Sequence, residues 1–233
     1  MSQEQASTST WATGLASTLK SGFMRELETF KTLPPRDLQP VPQVGSEAPR
    51  SAKIALSDGW PTLIVFLRHC GCPFAEKTFR QMATLASQLA GRVRFIAVSH
   101  SSAETTERWV MDVGGTWGAD VIIDEDRDLY AQWGLGMASA WETISPTTLF
   151  SVVRLGINEG VWNRPAENGS RWQKAGAFAV DANGIVRWLH VPTTASDVPD
   201  LVAGIRALGF HEPLAAQTPH AHPTREQDGH AHG

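Results

Sequence analysis

The sequence predicts an α/β fold, a central mixed β-sheet with helices on both faces. Three observations predict it. Residues 62–67 form a continuous apolar run between turns, the pattern of a strand buried on both sides. Helical and strand-like segments then alternate, which builds a parallel core. The chain closes on two strand-like runs joined by Asn183-Gly184, a hairpin signal that adds antiparallel strands.

The elements follow in order. Residues 1–10 are rich in Ser, Thr and Gln and read as disordered. Leu15, Leu19, Phe23, Leu27 and Phe30 recur at helical spacing and predict an amphipathic helix over 11–31. That helix packs on the domain or forms an interface, such as a homodimer contact. A linker with five prolines, PPRDLQPVPQVGSEAP, completes an extension over 1–44. The domain then spans 45–210. A short strand is expected at 54–56 and the buried strand at 62–67. A helix over 73–90 carries Phe74, Phe79, Met82, Leu85, Ala86 and Leu89 as its apolar stripe and stops at Gly91. Strands at 93–98 and 121–123 flank a helix that Ser101 and Glu104 would start as a capping box. A short helix covers 126–133, and residues 137–173 read as an insertion with helix near 146–155. The hairpin strands lie at 177–180 and 185–190, and the last helix at 199–208. Residues 211–233 form a polar tail with His211, His220, His222, His230 and His232, expected to be disordered. No internal repeat is visible.

Composition narrows the function. The 233 residues are 42% hydrophobic, enough for one sizeable core. A net charge of −4 gives no basic footprint for nucleic acid. No run reaches the ~18 apolar residues of a membrane helix, and the first residues lack a signal-peptide pattern. Two cysteines are too few for a disulfide scaffold, so a cytoplasmic protein with working thiols is expected.

Both cysteines lie in LIVFLRHCGCPFAEKTFRQM, where the strand gives way to the helix. Pro73 suits the first helical position, which makes Cys72 the N-cap. Its sulfur would then face free backbone N–H groups and the positive end of the helix dipole. Such a setting lowers a thiol pKa from ~8.5 to as low as ~3.5. Arg68, His69, Lys77 and Arg80 add nearby positive charge. The resulting thiolate would attack a peroxide or a disulfide. Cys70 is the candidate resolving thiol, and a Cys-Gly-Cys disulfide would be strained and easily reduced. The competing reading packs either thiol as a small hydrophobe, and for Cys70 this inward packing is the expected one.

A strand followed by GCPF and an amphipathic helix resembles the thioredoxin superfamily. Within it, FLRHCGCPFAEKTFR, RFIAVSHS, VIIDEDRDLYAQWGLG, GVWNRP and GAFAVDANGIVRW resemble AhpC/TSA-type peroxiredoxin-like proteins, especially a fungal branch. The resemblance covers roughly residues 45–210 and implies a thioredoxin-like fold with thiol oxidoreductase chemistry. It also implies no bound cofactor or metal, with glutathione or thioredoxin as external reductant. The chain departs from the family pattern at the site. Ala75 replaces the second cysteine of a Cys-x-x-C pair. The slots for Thr and Pro ahead of the reactive cysteine hold His69 and Val65. The slot for arginine before the late strand holds Ala175, with Lys174 beside it, and the proline usual before that strand is missing. SPTT at 145–148 resembles such a Pro-Thr motif but lies in the insertion. His69, aided by Arg68, would take over peroxide activation or accept the thiol proton.

Beside Pro73 and Phe74, the insertion offers Trp141, Arg154, Trp162, Arg164 and Trp172 as a candidate cleft for an organic substrate. The blander reading, which is favoured, has the tryptophans anchoring the insertion to the core. Asp124, Glu125 and Asp126 read as a solvated loop and not as a metal site. The leading expectation is a thiol-dependent oxidoreductase that reduces a hydroperoxide or disulfide through Cys72. The alternatives are a thioredoxin-fold enzyme that tailors a small organic molecule in fungal secondary metabolism, and a redox sensor or binding module without turnover.

Overall fold

The computed structural model describes residues 29–30, 33–34, 36–139, 146–164, 166 and 168–211. Most of the expected N-terminal helix, Trp141 and the tail beyond His211 lie outside the described residues. The described residues form five strands and five helices: β1 (Thr62–Phe66), α1 (Pro73–Gln88), β2 (Arg94–Ser99), α2 (Ala103–Asp112), β3 (Asp120–Ile123), α3 (Asp128–Gln132), α4 (Pro146–Glu159), β4 (Gly176–Val180), β5 (Val186–His190) and α5 (Leu201–Ala207).

The sheet order is β3-β2-β1-β4-β5. β1 runs parallel to β2, with Ile64 opposite Ile96, and β2 runs parallel to β3. β4 is antiparallel to β1, with Ile64 opposite Phe178, and β5 is antiparallel to β4. A central mixed sheet flanked by helices is the architecture expected.

Strand alternation builds two cores. Leu63, Val65, Phe95, Ala97, Ala177 and Ala179 face α1, α2 and α5, where Phe79, Met82, Trp109 and Ile205 meet them. Ile64, Phe66, Ile96, Val98, Phe178 and Val180 face α3. On that side Phe66 meets Tyr130 edge-on at 5.1 Å and Phe178 edge-on at 5.9 Å, and Trp133 lies 4.6 Å from Phe178. The Tyr130 hydroxyl reaches the carbonyls of Leu67 and Val98 at 2.7 and 2.8 Å, and so ties the helix to the carboxyl ends of β1 and β2.

Two local expectations differ from the structure. Residues 54–56 form no strand. β1 already has β2 and β4 as neighbours, and residues 45–48 bond along the start of β5, so Ile54 contributes only its buried side chain. The N-cap of α2 is Ser102, not Ser101, and its side chain accepts from the Thr105 N–H. The Ser101 N–H bonds back to Ser99 Oγ, and Glu104 pairs with Arg108 instead of reaching the cap. The helix expected near 146–155 is α4, which Pro146 of the SPTT segment opens, so that proline does not precede a sheet strand. The hairpin forms as expected, held by Asp181, whose Oδ1 accepts from the N–H groups of Asn183 and Ile185.

Phe66 is fully buried at the centre of the aromatic layer. Phe66→Ala is expected to cost about 3–5 kcal/mol. Urea unfolding would register this as a lower midpoint with an unchanged slope.

Candidate functional site

β1 delivers its exit loop to the carboxyl edge of the sheet, where ligands bind in open α/β sheets. The Leu67 N–H still bonds to the Val98 carbonyl, and then the chain turns. The turn is closed by the Cys72 N–H on the His69 carbonyl at 3.1 Å. Gly71 adopts φ 135°, which a residue with a side chain rarely takes. Cys72 caps α1 in an extended conformation (φ −74°, ψ 124°) with Pro73 next. Its carbonyl starts the helix by accepting from the Glu76 N–H at 3.0 Å.

The sulfur does not do what the N-cap position suggests. The Cys72 side chain makes no capping hydrogen bond and is buried in the apolar layer beneath α1. A thiol is a weak hydrogen-bonding group, so packing wins here over capping.

Cys70 points inward, as the bland reading expected. Its sulfur lies 3.7 Å from Ser99 Oγ and 3.8 Å from Thr106 Oγ1, and these two hydroxyls bond each other at 2.8 Å. Burial pushes the Cys70 thiol pKa up, partly opposed by the hydroxyls of Ser101, Ser99 and Thr106. Both cysteines are free.

Around this loop sits a buried cationic cluster. His69 is buried, and its Nδ1 has no hydrogen-bond partner. Burial, with the Arg68 and Arg171 guanidiniums and His100, holds its pKa well below 6.5. His100, at the end of β2, is pulled down to about 4, chiefly by burial. Its Nε2 lies 3.1 Å from the Ser170 backbone nitrogen, and its ring meets Tyr130 edge-on. Both imidazoles are therefore neutral at pH 7. Arg68 is buried and donates to the Arg171 carbonyl at 2.7 Å. Arg171 donates to Thr29 Oγ1 and lies 4.7 Å over the Phe30 ring. Among the described residues no carboxylate bonds Arg68.

The segment from 168 to 173 roofs this cluster. Asn168 binds Ser102 and Thr105 at the start of α2. Gly169 (φ 80°) passes so close that a Cβ there would lie 3.0 Å from Ser101 Oγ and 3.1 Å from His100 Nε2.

The other predicted residues are dispersed. Arg164 joins the loop from outside: its N–H donates to the Gly71 carbonyl and its Nε to Glu76 Oε2, both at 3.0 Å. Glu76, buried, also takes two bonds from Arg80, and Lys77 pairs with Glu159. The positive charges of Lys77 and Arg80 are thus committed to carboxylates. Trp162 is half exposed and packs on Gly156, where a Cβ would lie 2.5 Å from its ring. Trp172 donates from Nε1 to the Phe30 carbonyl at 2.8 Å. Arg154 is exposed on α4. Arg164, Trp162 and Trp172 thus anchor the insertion, and neither they nor Arg154 line the cavity beside the loop.

The cavity beside the loop has other walls. Arg68, Phe74, Ala75 and Thr78 face Ala175 and the turn holding Pro192, Ala195, Val198 and Pro199. It is an apolar cleft with one guanidinium and Asp197. No group of residues able to hold a metal ion occurs among the described residues, and none of their helices is long and apolar enough to cross a membrane.

Sequence reasoning overlooked His100, Arg171 and Glu76. His100 carried a usable signal, since it lies two residues beyond a predicted strand, at the edge where ligands gather. Arg171 carried none, because only tertiary packing brings it to His69.

The neutral histidines set a pH dependence. Between pH 6.5 and about 4 the unfolded chain binds protons that folded His100 refuses, and His69 acts in the same direction. Stability therefore falls as pH drops through this window, by up to about 1.4 kcal/mol per unit from His100, with His69 adding to the fall. Urea midpoints across the window measure the slope, and His100→Gln is expected to flatten it.

The family described as AhpC/TSA antioxidant enzyme matches residues 81–193. The match begins after both cysteines. No curated protein matches the chain significantly. Among solved structures, a peroxiredoxin-like protein from Aquifex aeolicus is 13% identical, with a TM-score of 0.49 over 73% of this chain and 88% of its own. A thiol peroxidase from Chromobacterium violaceum is 15% identical, with a TM-score of 0.46 over 78% of this chain and 94% of its own. A yeast mitochondrial 1-Cys peroxiredoxin is 16% identical, with a TM-score of 0.46 over 72% of this chain and 75% of its own. Likenesses this distant leave the reaction open. The family match, residues 81–193 of 233, spans just under half of the chain and is a similarity to that family over the region from α1 to the turn after β5.

Proposed function

We propose that the protein is a thiol-dependent oxidoreductase of the peroxidase kind, with Cys72 as the reacting thiol. One observation carries this reading. Cys72 starts α1 in a loop that the end of β1 fixes in place, its N–H bonded to the carbonyl of the buried, neutral His69.

The steps balance as follows. The Cys72 sulfur gives up its proton to His69, whose buried neutral imidazole has an unpartnered Nδ1. The thiolate attacks the outer oxygen of a hydroperoxide, forming an S–O bond and breaking the O–O bond. The alkoxide leaves, takes a proton and departs as an alcohol. Arg68 favours the charge on the leaving oxygen. Cys70, or an external thiol such as glutathione or thioredoxin, then attacks the Cys72 sulfenic acid and releases water. Two thiol equivalents reduce the resulting disulfide.

The apolar cleft between Phe74 and Pro192–Pro199 supports an organic hydroperoxide or mixed disulfide over hydrogen peroxide. The burial of Cys70 supports a slow resolving step, because its thiol must emerge from the Ser99–Thr106 pair. Tailoring of a small organic molecule remains the second reading, since the same cleft would accept one, and that activity would not need a thiol.

Single-turnover kinetics with cumene hydroperoxide and with hydrogen peroxide tests the first reading. Cys72→Ser is expected to lose the reaction, and His69→Gln to slow it by about 10²-fold. Cys70→Ser is expected to keep the first step and depend on added thiol for turnover. Wild-type rates in Cys72→Ser would overturn the assignment. A metabolite turned over equally well by Cys72→Ser would establish the second reading.

A further inference from the structure

We propose that a second cavity, between Arg36 and Arg127, binds a small oxyanion, a phosphate or a carboxylate, through the two guanidinium groups. The cavity encloses about 150 Å³ and is walled by Leu38, Ala131, Leu135 and Met137 on the α3 side of the sheet. A buried water's share of volume is about 30 Å³, so a small oxyanion fits.

Arg127 is the central observation. It is only 6% exposed, yet among the described residues no carboxylate bonds it. Its Nη2 donates to the Pro34 carbonyl at 3.0 Å and its Nη1 meets Met137 Sδ at 3.4 Å, both neutral partners. Burying a guanidinium without an anion is costly. The backbone at Arg127 is also left-handed (φ 61°, ψ 28°), a conformation that non-glycine residues adopt at an energetic cost. Strain and unbalanced charge therefore meet at one residue, next to open volume.

The neighbouring charges relieve it only in part. The buried Asp124 favours charged Arg127 through space, the smallest of the three effects on it, but makes no bond to it: Lys53 takes its Oδ1 at 2.6 Å and the N–H groups of Leu129 and Tyr130 take its Oδ2. Arg36 leans on Asp126 and Asp128 at 3.6 and 3.3 Å, through carboxylates that are largely in solvent. Its own guanidinium comes near enough to push the Arg127 pKa down, behind the larger effect of burial. His100, on the inner side, is neutral. An oxyanion between the two guanidiniums would satisfy both with charge-assisted hydrogen bonds.

The site is separate from Cys72, so its test is binding and not turnover. Titration calorimetry of the full chain with phosphate, sulfate and succinate, at ionic strength fixed with sodium chloride, reads it directly. One saturable site per chain is expected, with affinity lowered at least tenfold in Arg127→Gln and measurably in Arg36→Gln. Tighter binding of phosphate than of succinate would identify a tetrahedral ligand, and the reverse a carboxylate. Arg36 is part exposed and its variant is expected to fold even where Arg127→Gln does not. Absence of saturable binding, or unchanged affinity in Arg36→Gln, would overturn the proposal.

Discussion

The position of β1 between β2 and β4 is the constraint on which the rest depends. All five of its residues are buried, and it is hydrogen-bonded along both edges. Shifting its register by one residue would exchange the residues facing α1 with those facing α3. The register therefore fixes where the strand ends and where Arg68 to Cys72 emerge. Tyr130 reinforces that end by tying the Leu67 and Val98 carbonyls together, so the loop leaves from a rigid edge.

From that edge the electrostatics follow. The loop lies among guanidiniums and two imidazoles, while the buried carboxylate nearest to it, Glu76, is already bound by Arg80 and Arg164. Among the described residues no carboxylate bonds Arg68, and burial keeps the histidines neutral. A thiolate, or the leaving oxygen of a peroxide, would carry negative charge into reach of Arg68. The family's usual arginine slot holds Ala175, and Arg68 and Arg171 bring positive charge to the neighbourhood by another route.

Much of this was legible in the sequence where the signal is local. The apolar run of β1, the stripe of α1 and the Asp181–Gly184 turn depend on neighbouring residues, and each appears within a few residues of its expected place. Cys72 as N-cap was readable from Cys-Pro alone. What its sulfur touches was not, because apolar packing outweighs a weak capping bond. The strand expected at 54–56 failed because pairing is a property of the whole sheet. The tryptophans of the insertion suggested a cleft, but Trp162 and Trp172 find partners within the insertion and at Phe30. The roof of Ser170 and Arg171 over His100 and Arg68 joins residues about seventy to a hundred positions apart, and no local pattern announces such contacts.

The central claim is that oxidation begins at Cys72. The most direct measurement is dimedone trapping during exposure to one equivalent of cumene hydroperoxide, followed by peptide mass spectrometry. The account predicts the adduct on Cys72, formed faster than on a free cysteine in the same solution, with Cys70 unlabelled. Labelling at Cys70 instead, or no labelling above the free-thiol rate, would contradict it.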